Sequence, residues 1–175
     1  MIFTETKLKG SYIIDLDQII DERGFFARSF DEEIFSNLGL SSNFVQCNIS
    51  FNQKKGTLRG LHFQEKPYGE NKLVRCTQGK VFEVLVDLRI NSSTYGKWID
   101  VILSSENHKM VYVPEGFALG FQTLEDDTEL FYQMSQFYTP SHSKGVIWND
   151  PCLKVSWPLK PTVISKKDQT LPLLA

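Results

Sequence analysis

One short segment of this 175-residue sequence concentrates side chains that can exchange protons and hold an anion. Residues 59–64 read RGLHFQ, and Lys72 and Arg75 follow in the next apolar run. Imidazole titrates near neutral pH, and arginine grips phosphate oxygens in bidentate fashion. The segment therefore predicts a basic pocket for an anionic ligand such as a phosphate ester. The alternatives are a hydrogen-bonded core histidine and cations on a solvated outer face.

Metal binding is a second interpretation of His62. The other histidines, His108 and His142, lie in polar, turn-like sequence, and no His-x-His pair occurs. A centre of two or three histidines and a carboxylate is therefore poorly supported. Three scattered cysteines at positions 47, 76 and 152 form no CxxC pair, which argues against a structural zinc site. We expect no metal, and we expect His62 to act as an acid or a base.

Composition excludes several classes of protein. The net charge is −2, and no basic stripe interleaved with aromatic residues suggests nucleic-acid binding. No apolar run approaches the roughly 20 residues that span a bilayer. The N-terminal sequence lacks the apolar region of a signal peptide, so we expect a cytoplasmic protein with no membrane partner. A length of 175 residues fits one domain, 1–175.

Short apolar runs bounded by turn residues dominate the chain and predict strands. In the clearest run, residues 80–88, one face is purely apolar and the other carries Glu83 and Asp87. The predicted strands are residues 11–15, 44–51, 57–64, 72–77, 80–88, 98–103, 110–113, 118–124, 128–134 and 145–148.

One segment, residues 32–38, predicts a helix. Ser29 and Glu32 have the spacing of a capping box, and Gly39 follows the last apolar position. Many short strands with frequent turns predict an all-β sandwich or barrel, with a short helix near the N-terminus and a C-terminal segment that wraps the outside. Such a barrel often holds one small ligand at its mouth.

Arg59 and His62 pose a geometric problem. Residues three apart in a regular strand point to opposite faces. If both line one pocket, the backbone must bulge or bend between them, and Gly60 suits that role. We therefore predict an irregularity near Gly60.

Six segments carry a family resemblance over nearly the whole chain. They read DERGFF (21–26), RGLHFQ (59–64), KLVR (72–75), VDLR (86–89), PEGFA (114–118) and WNDP (148–151), and ISKKD (164–168) follows them. In this order and spacing they resemble the dTDP-4-dehydrorhamnose 3,5-epimerase family. The resemblance implies a double-stranded β-helix of the jelly-roll or cupin type. It also implies epimerisation of a nucleotide-linked 4-keto-6-deoxy sugar without any cofactor.

The resemblance also implies roles for individual residues. His62 matches the catalytic base, Asp168 its carboxylate partner, Lys72 the cation at the sugar C4 oxygen and Tyr132 the proton donor. It implies a homodimer in which the segment bearing Arg23 reaches the neighbouring subunit's site. The residues matching substrate-binding positions are Arg23, Phe26, Gln46, Asn48, Arg59, Tyr138 and Lys167.

The chain departs from the family pattern at a few positions. The family usually has Glu at Arg28, Asp at Cys47 and His at Leu119, and often Glu near Ser143. All four residues that match the catalytic positions are present, so we expect proton transfer to be retained while recognition of the nucleotide sugar changes. Epimerisation of one carbon instead of two is one such change. The competing functions are a nucleotide-sugar 3,4-ketoisomerase, a catalytically silent nucleotide-sugar-binding or interaction protein and a metal-dependent dioxygenase.

Overall fold

The computed structural model describes residues 1–174, which form two packed β-sheets, an isolated hairpin and two short α-helices. The helices are α1 (Glu32–Asn37) and α2 (Lys166–Gln169), and a 3-10 turn spans Pro140–His142. The strands, in chain order, are β1 (Ile2–Glu5), β2 (Tyr12–Asp15), β3 (Ile19–Asp21), β4 (Gly24–Phe26), β5 (Gln46–Asn52), β6 (Thr57–Gln64), β7 (Lys72–Gln78), β8 (Lys80–Asp87), β9 (Trp98–Ser104), β10 (Met110–Val113), β11 (Phe117–Thr123), β12 (Thr128–Met134), β13 (Ser143–Gly145) and β14 (Val163–Ile164).

Strand order places sequence-distant segments side by side. The first sheet runs β1-β2-β10-β7-β12-β5, and the second runs β13-β6-β11-β8-β9. Strand β14 adds to β6 as a parallel partner, with Val163 opposite Thr57. Strands β3 and β4 pair only with each other. The predicted all-β, double-sheet architecture is confirmed.

Apolar side chains from both sheets form the main core between them. Val74 from the first sheet and Leu85 from the second are almost completely buried there, as is Phe117 on β11. The inward face of β8 is the one that also carries Glu83 and Asp87, both with no exposed surface. Strand alternation therefore directs these two carboxylates into the protein and not toward solvent.

The purely apolar face of β8 is covered as well. Val84 and Val86 pack in a second cluster with Val146 and Leu153, and Trp157 lies against it. Trp157 and Leu174, which lie in the C-terminal stretch from residue 157 onward, pack against this cluster, and the prediction that this stretch wraps the outside is confirmed. Both faces of β8 are therefore buried, which fits a strand in which only Lys80, Glu83 and Asp87 are polar.

Most predicted strands are confirmed with shifts of one or two residues at their ends. The strand predicted at residues 145–148 is wrong except at Gly145, because β13 covers Ser143–Gly145. Strands β1, β3, β4 and β14 and helix α2 were not predicted. Each is four residues or shorter, too short for a periodic pattern.

The predicted helix is confirmed at α1, but its predicted cap is wrong. Asp31, and not Ser29, is the N-cap: its side chain accepts hydrogen bonds from the backbone N–H groups of Glu33 and Ile34. Gly39 follows the helix with a positive φ of 69°, as predicted for its end. Neither α-helix within residues 1–174 has the length and apolar character of a membrane span.

Asp87 organises the loop between β8 and β9. Its carboxylate accepts bonds from the Arg89 guanidinium at 2.9 and 2.8 Å and from the hydroxyls of Ser92 and Thr94 at 2.6 Å each. Burial alone would raise the pKa of Asp87, but the donors, led by Arg89, outweigh it and hold that pKa below its ordinary range. The carboxylate therefore stays ionised and serves as the loop's anchor.

Replacing Asp87 with Ala is expected to lower the free energy of unfolding by about 3 kcal/mol, because it removes the buried carboxylate that the partly buried donors of Arg89, Ser92 and Thr94 share. Denaturant titration followed by circular dichroism measures the change. Asp100→Ala makes the same truncation at an exposed position of the neighbouring strand β9 and should cost less than about 0.5 kcal/mol. Equal losses in the two variants would contradict this role of Asp87.

Candidate active site

A cavity of about 300 Å³ opens between the two sheets. The first sheet contributes Lys72 and Tyr132, and the second contributes Arg59, His62 and Glu83. Cationic, acidic and phenolic groups thus meet in one concave space, which is the usual arrangement of a small-molecule site. The remaining lining residues are Ser50, Phe63, Gln64, Glu70, Val74, Leu119, Gly120, Phe121, Leu130, Met134, Tyr138, Ser143 and Lys167.

His62 is held by a carboxylate from the C-terminal helix. Its Nε2 lies 2.7 Å from Oδ1 of Asp168, and the backbone N–H of Gly60 donates to the other oxygen at 3.3 Å. Asp168 is almost completely buried, while the His62 side chain is about a third exposed. Ser165 is the N-cap of helix α2, and its hydroxyl accepts a hydrogen bond from the Asp168 N–H. Strand β14 sets this helix beside β6.

The ionisation of Asp168 fixes the tautomer of His62. Burial opposes the charge, but the hydrogen bond and charge of His62, with further donors, lower the pKa of Asp168 below its usual value. An ionised carboxylate only accepts hydrogen bonds. The Nε2 of His62 must therefore carry the proton, which leaves Nδ1 with a lone pair as the basic nitrogen.

The predicted irregularity at Gly60 is confirmed. The register between β6 and β11 shifts between Leu119 and Phe121, and Gly60 has a φ of 113°. A Cβ on Gly60 would lie 2.6 Å from the Cα of Gly120, so the backbones approach more closely than any side chain permits. Because of this irregularity, Arg59 and His62 both line the cavity.

Two buried carboxylates surround Lys72. The ammonium lies 2.5 Å from Oε1 of Glu70, whose other oxygen accepts from the backbone N–H of Gln64. Glu83 lies in the same cavity wall, and burial raises its pKa to about 8 despite the opposing charge of Lys72. Sequence reasoning missed both acids as site residues. The alternation of β8 was a usable signal for Glu83, whereas Glu70 lies in a loop without a pattern.

Tyr132 enters the cavity from the opposite sheet to His62. It is partly buried, and burial raises the pKa of its phenol, so the group keeps its proton at neutral pH. Tyr138 also lines the cavity, and Gln46 holds it by accepting a hydrogen bond from its backbone N–H. Asn48 lies on the same face of β5 as Gln46 and donates to Met134, another lining residue.

Arg23 and Phe26 lie outside the cavity of their own chain. Both belong to the β3–β4 hairpin, where Arg23 pairs with Asp21 and its side chain is 84% exposed. Arg59 and Lys167 do line the cavity, and Nε of Arg59 donates to Asn52 at 2.7 Å.

The positions that depart from the family pattern separate into two groups. Leu119 lines the cavity directly opposite His62 in the β6–β11 register, and Ser143 lines it from β13. Arg28 instead pairs with Asp31, the N-cap of α1, and Cys47 lies exposed on β5. Only Leu119 and Ser143 can therefore touch a ligand within this chain's cavity. Residues 1–174 contain no group of three or more His, Cys, Asp or Glu side chains placed to hold a metal ion.

Comparison with known proteins gives consistent matches. A family model described as dTDP-4-dehydrorhamnose 3,5-epimerase matches residues 5–175. The enzyme of that name from Shigella flexneri is 46% identical over 94% of this chain and 91% of its own length. The crystal structure of the Bacillus anthracis enzyme of that name, with TDP and PPi bound, has a TM-score of 0.95 at 40% identity and 99% coverage of both chains. A dTDP-4-dehydrorhamnose 3-epimerase from Streptomyces niveus is 36% identical over 96% of this chain and 81% of its own length.

Replacing Gly60 with Ala is expected to destabilise the protein by more than about 2 kcal/mol and to displace His62, because the added Cβ meets backbone that cannot give way. Thermal unfolding and the histidine NMR signals of the folded protein report the two effects. Gly39→Ala is the matched control, since Gly39 also has a positive φ but a Cβ added there would meet nothing within 4 Å. If both variants are destabilised by the same amount, the close approach of the Gly60 and Gly120 backbones is not the reason that residue 60 must be glycine.

Proposed function

The chain belongs to the dTDP-4-dehydrorhamnose 3,5-epimerase family, and from this premise we propose that it inverts C3, C5 or both in a nucleoside-diphosphate 4-keto-6-deoxy sugar. The family is one of carbohydrate epimerases, a class of isomerases. The observation that carries the proposal is the cavity in which the His62–Asp168 pair faces Tyr132 from the opposite sheet. The product would enter deoxysugar or surface-polysaccharide biosynthesis.

His62 is the proposed base. The carbon next to a ketone is acidic enough for imidazole to remove its proton when the two are held in contact. Nδ1 of His62 takes this proton, and the ring becomes an imidazolium. The Asp168 carboxylate on Nε2 stabilises that positive charge and keeps the ring oriented, as the carboxylate of a catalytic triad does.

Lys72 is the proposed stabiliser of the enolate. When the C–H bond breaks, its electron pair moves toward the carbonyl and places negative charge on the C4 oxygen. A preorganised ammonium group at that oxygen lowers the barrier by about 3 kcal/mol. Glu70 holds the ammonium in place.

Tyr132 is the proposed acid. It returns a proton to the opposite face of the planar enolate, so the carbon is inverted. The raised pKa of its phenol keeps this proton available at neutral pH. Exchange with solvent then restores neutral His62 and protonated Tyr132, and the reaction needs no redox step.

The rim of the cavity is the proposed nucleotide site. Arg59 and Lys167 supply positive charge for the diphosphate. Tyr138, which is about half exposed, offers a ring face on which a nucleotide base can stack. Gln46 and Asn48 support this side of the cavity.

Leu119 bears on how many carbons are inverted. A leucine removes the hydrogen bond that a histidine would make beside His62, so a sugar hydroxyl loses one potential anchor there. We propose that the loss of this hydrogen bond changes how the sugar is recognised. Inversion of a single carbon is one outcome of such a change. The similarity to a Streptomyces 3-epimerase is compatible with it.

Incubation of the protein with a dTDP-4-keto-6-deoxyhexose in D2O tests the mechanism. NMR should show deuterium entering at C3, C5 or both, and the number of exchanged positions distinguishes single from double epimerisation. His62→Ala and Tyr132→Phe should each slow inversion by about 10²- to 10⁴-fold.

Controls for this experiment lie outside the cavity. His142→Ala removes a ring that packs on Tyr68, and Tyr12→Phe removes a hydroxyl from β2; both variants should keep wild-type rates. Binding of the nucleotide sugar without any deuterium uptake by the wild-type protein would leave only a silent binding protein.

We also propose that the protein works as a homodimer with shared sites. The β3–β4 hairpin projects apolar side chains into solvent, with Ile20 76% and Phe26 68% exposed. An isolated two-stranded hairpin is only marginally stable in water, and such an apolar surface favours a partner. A second copy of the chain is the proposed partner, and Arg23 at the hairpin tip would then reach that copy's cavity.

Mixing two impaired variants tests this arrangement. Arg23→Ala and His62→Ala, combined in equal amounts under conditions that exchange subunits, should regain about a quarter of wild-type activity, because about half of the dimers are then mixed and one of the two sites in each mixed dimer is intact. Sedimentation should show a dimer for both variants. No recovery from mixed dimers would mean that Arg23 serves its own chain or no site at all.

A further inference from the structure

Two side chains that line the cavity, Ser50 and Glu83, have buried polar atoms without a hydrogen-bond partner within the described residues, and Glu83 is the one that can ionise. It lies at the middle of β8, between Phe121 of β11 and Val101 of β9, and has no exposed surface. Neither carboxylate oxygen has a hydrogen-bond partner within the described residues. Buried polar groups almost always have such a partner, and Glu83 lines the space that a ligand would fill. A ligand group is therefore the partner that this site leaves open.

The charges around Glu83 favour its neutral form. Lys72 already pairs with Glu70 at 2.5 Å, which balances the one buried ammonium with one buried carboxylate. A second ionised carboxylate would leave an uncompensated charge in a region of low polarity, which is costly. The pKa of Glu83, raised by burial to about 8, agrees with this charge balance.

The elements packed against Glu83 supply few other titratable groups. Strand β11 has none, and Asp100 of β9 lies on the exposed face. The groups that share the cavity or interact with Glu83 are Arg59 and His62 from β6, Glu70, Lys72 and Cys76 from β7 and the loop before it, Tyr132 and Tyr138 from β12 and the loop after it, and Lys167 from α2.

We propose that Glu83 is a further catalytic residue, which acts as a neutral carboxylic acid and donates a hydrogen bond to the C4 oxygen of the keto sugar beside Lys72. This inference rests on the proposed epimerase function and adds a second donor to its enolate site. A carboxylic acid kept neutral by an apolar site is a known oxyanion donor in other enolising enzymes.

Glu83 donates a hydrogen bond but neither gains nor loses a proton during the reaction. As His62 takes the carbon-bound proton, the electron pair moves to the C4 oxygen, and the Lys72 ammonium and the Glu83 hydroxyl share the negative charge. When Tyr132 protonates the carbon, the pair returns and the ketone re-forms. Glu83 keeps its proton throughout and needs no co-reactant.

Two substitutions separate a neutral donor from an ionised carboxylate. Glu83→Gln keeps a donor of similar shape that cannot ionise, and it should retain kcat within about tenfold of wild type. Glu83→Leu removes the donor and should lower kcat about 10²-fold or more. Asp100→Asn makes the same acid-to-amide change on the exposed face of β9 and should leave kcat unchanged. A loss in Glu83→Gln as large as that in Glu83→Leu would overturn the proposal.

The pH dependence gives a second readout. A donor must be protonated, so wild-type kcat should fall as pH rises through about 8, where Glu83 loses its proton. Ionisation would also place a negative charge beside the enolate. Glu83→Gln should lack this fall, whereas Asp100→Asn should keep it. The same fall in Glu83→Gln would assign it to another group and overturn the proposal.

A spectroscopic titration of the wild-type protein tests the protonation of Glu83 directly. It requires neither an activity measurement nor a folded variant. In wild-type protein labelled with ¹³C at the glutamate carboxyl carbon, one signal should titrate near pH 8 and shift when a dTDP-4-keto-6-deoxyhexose binds, but not with dTDP alone. Absence of that signal overturns the proposal. If wild-type protein catalyses exchange while this signal is absent, the epimerase function stands and only the role of Glu83 fails.

Discussion

The contact between His62 and Asp168 is the interaction on which the rest of the site depends. The two residues are 106 positions apart in sequence, and each is delivered by a different device. The parallel pairing of β14 with β6 and the Ser165 cap place the carboxylate, while the close approach of Gly60 and Gly120 turns the imidazole toward the cavity. The same carboxylate also accepts from the Gly60 N–H. The two carboxylate oxygens of Asp168 thus connect the C-terminal helix α2, the irregular strand β6 and the imidazole of His62.

In and beside the cavity, each buried acid is ionised only where a cation or hydrogen-bond donors balance its charge. Lys72 and Glu70 neutralise each other, and Asp168 is ionised because donors surround it. Glu83 has no such donors, so burial dominates. Acids of one chemical type thereby take different protonation states according to their neighbours. This division would let one small space offer a base, a cation and neutral acids together at neutral pH.

Local sequence was sufficient wherever a physical rule acts over a few residues. Alternation in residues 80–88 identified a strand and the face bearing Glu83, and the three-residue spacing of Arg59 and His62 required the irregularity at Gly60. The cap of α1 could not be chosen, because Ser29 and Asp31 both carry oxygens suited to capping. The approach of Asp168 to His62 was available only through the family resemblance. Glu70 depends on loop geometry that no local pattern encodes, and the hairpin was missed because its apolar side chains do not alternate with polar ones.

The covering of the second sheet by the C-terminal segment has a consequence for synthesis. Strand β6 leaves the ribosome about 100 residues before Asp168, an interval of roughly 5–20 s at ordinary translation rates. During that time His62 lacks its carboxylate, and until residues 146–157 have emerged Val84 and Val86 lack the part of their cluster that Val146, Leu153 and Trp157 supply. The contact of His62 with Asp168 and the covering of this apolar face are therefore completed only by residues near the end of the sequence.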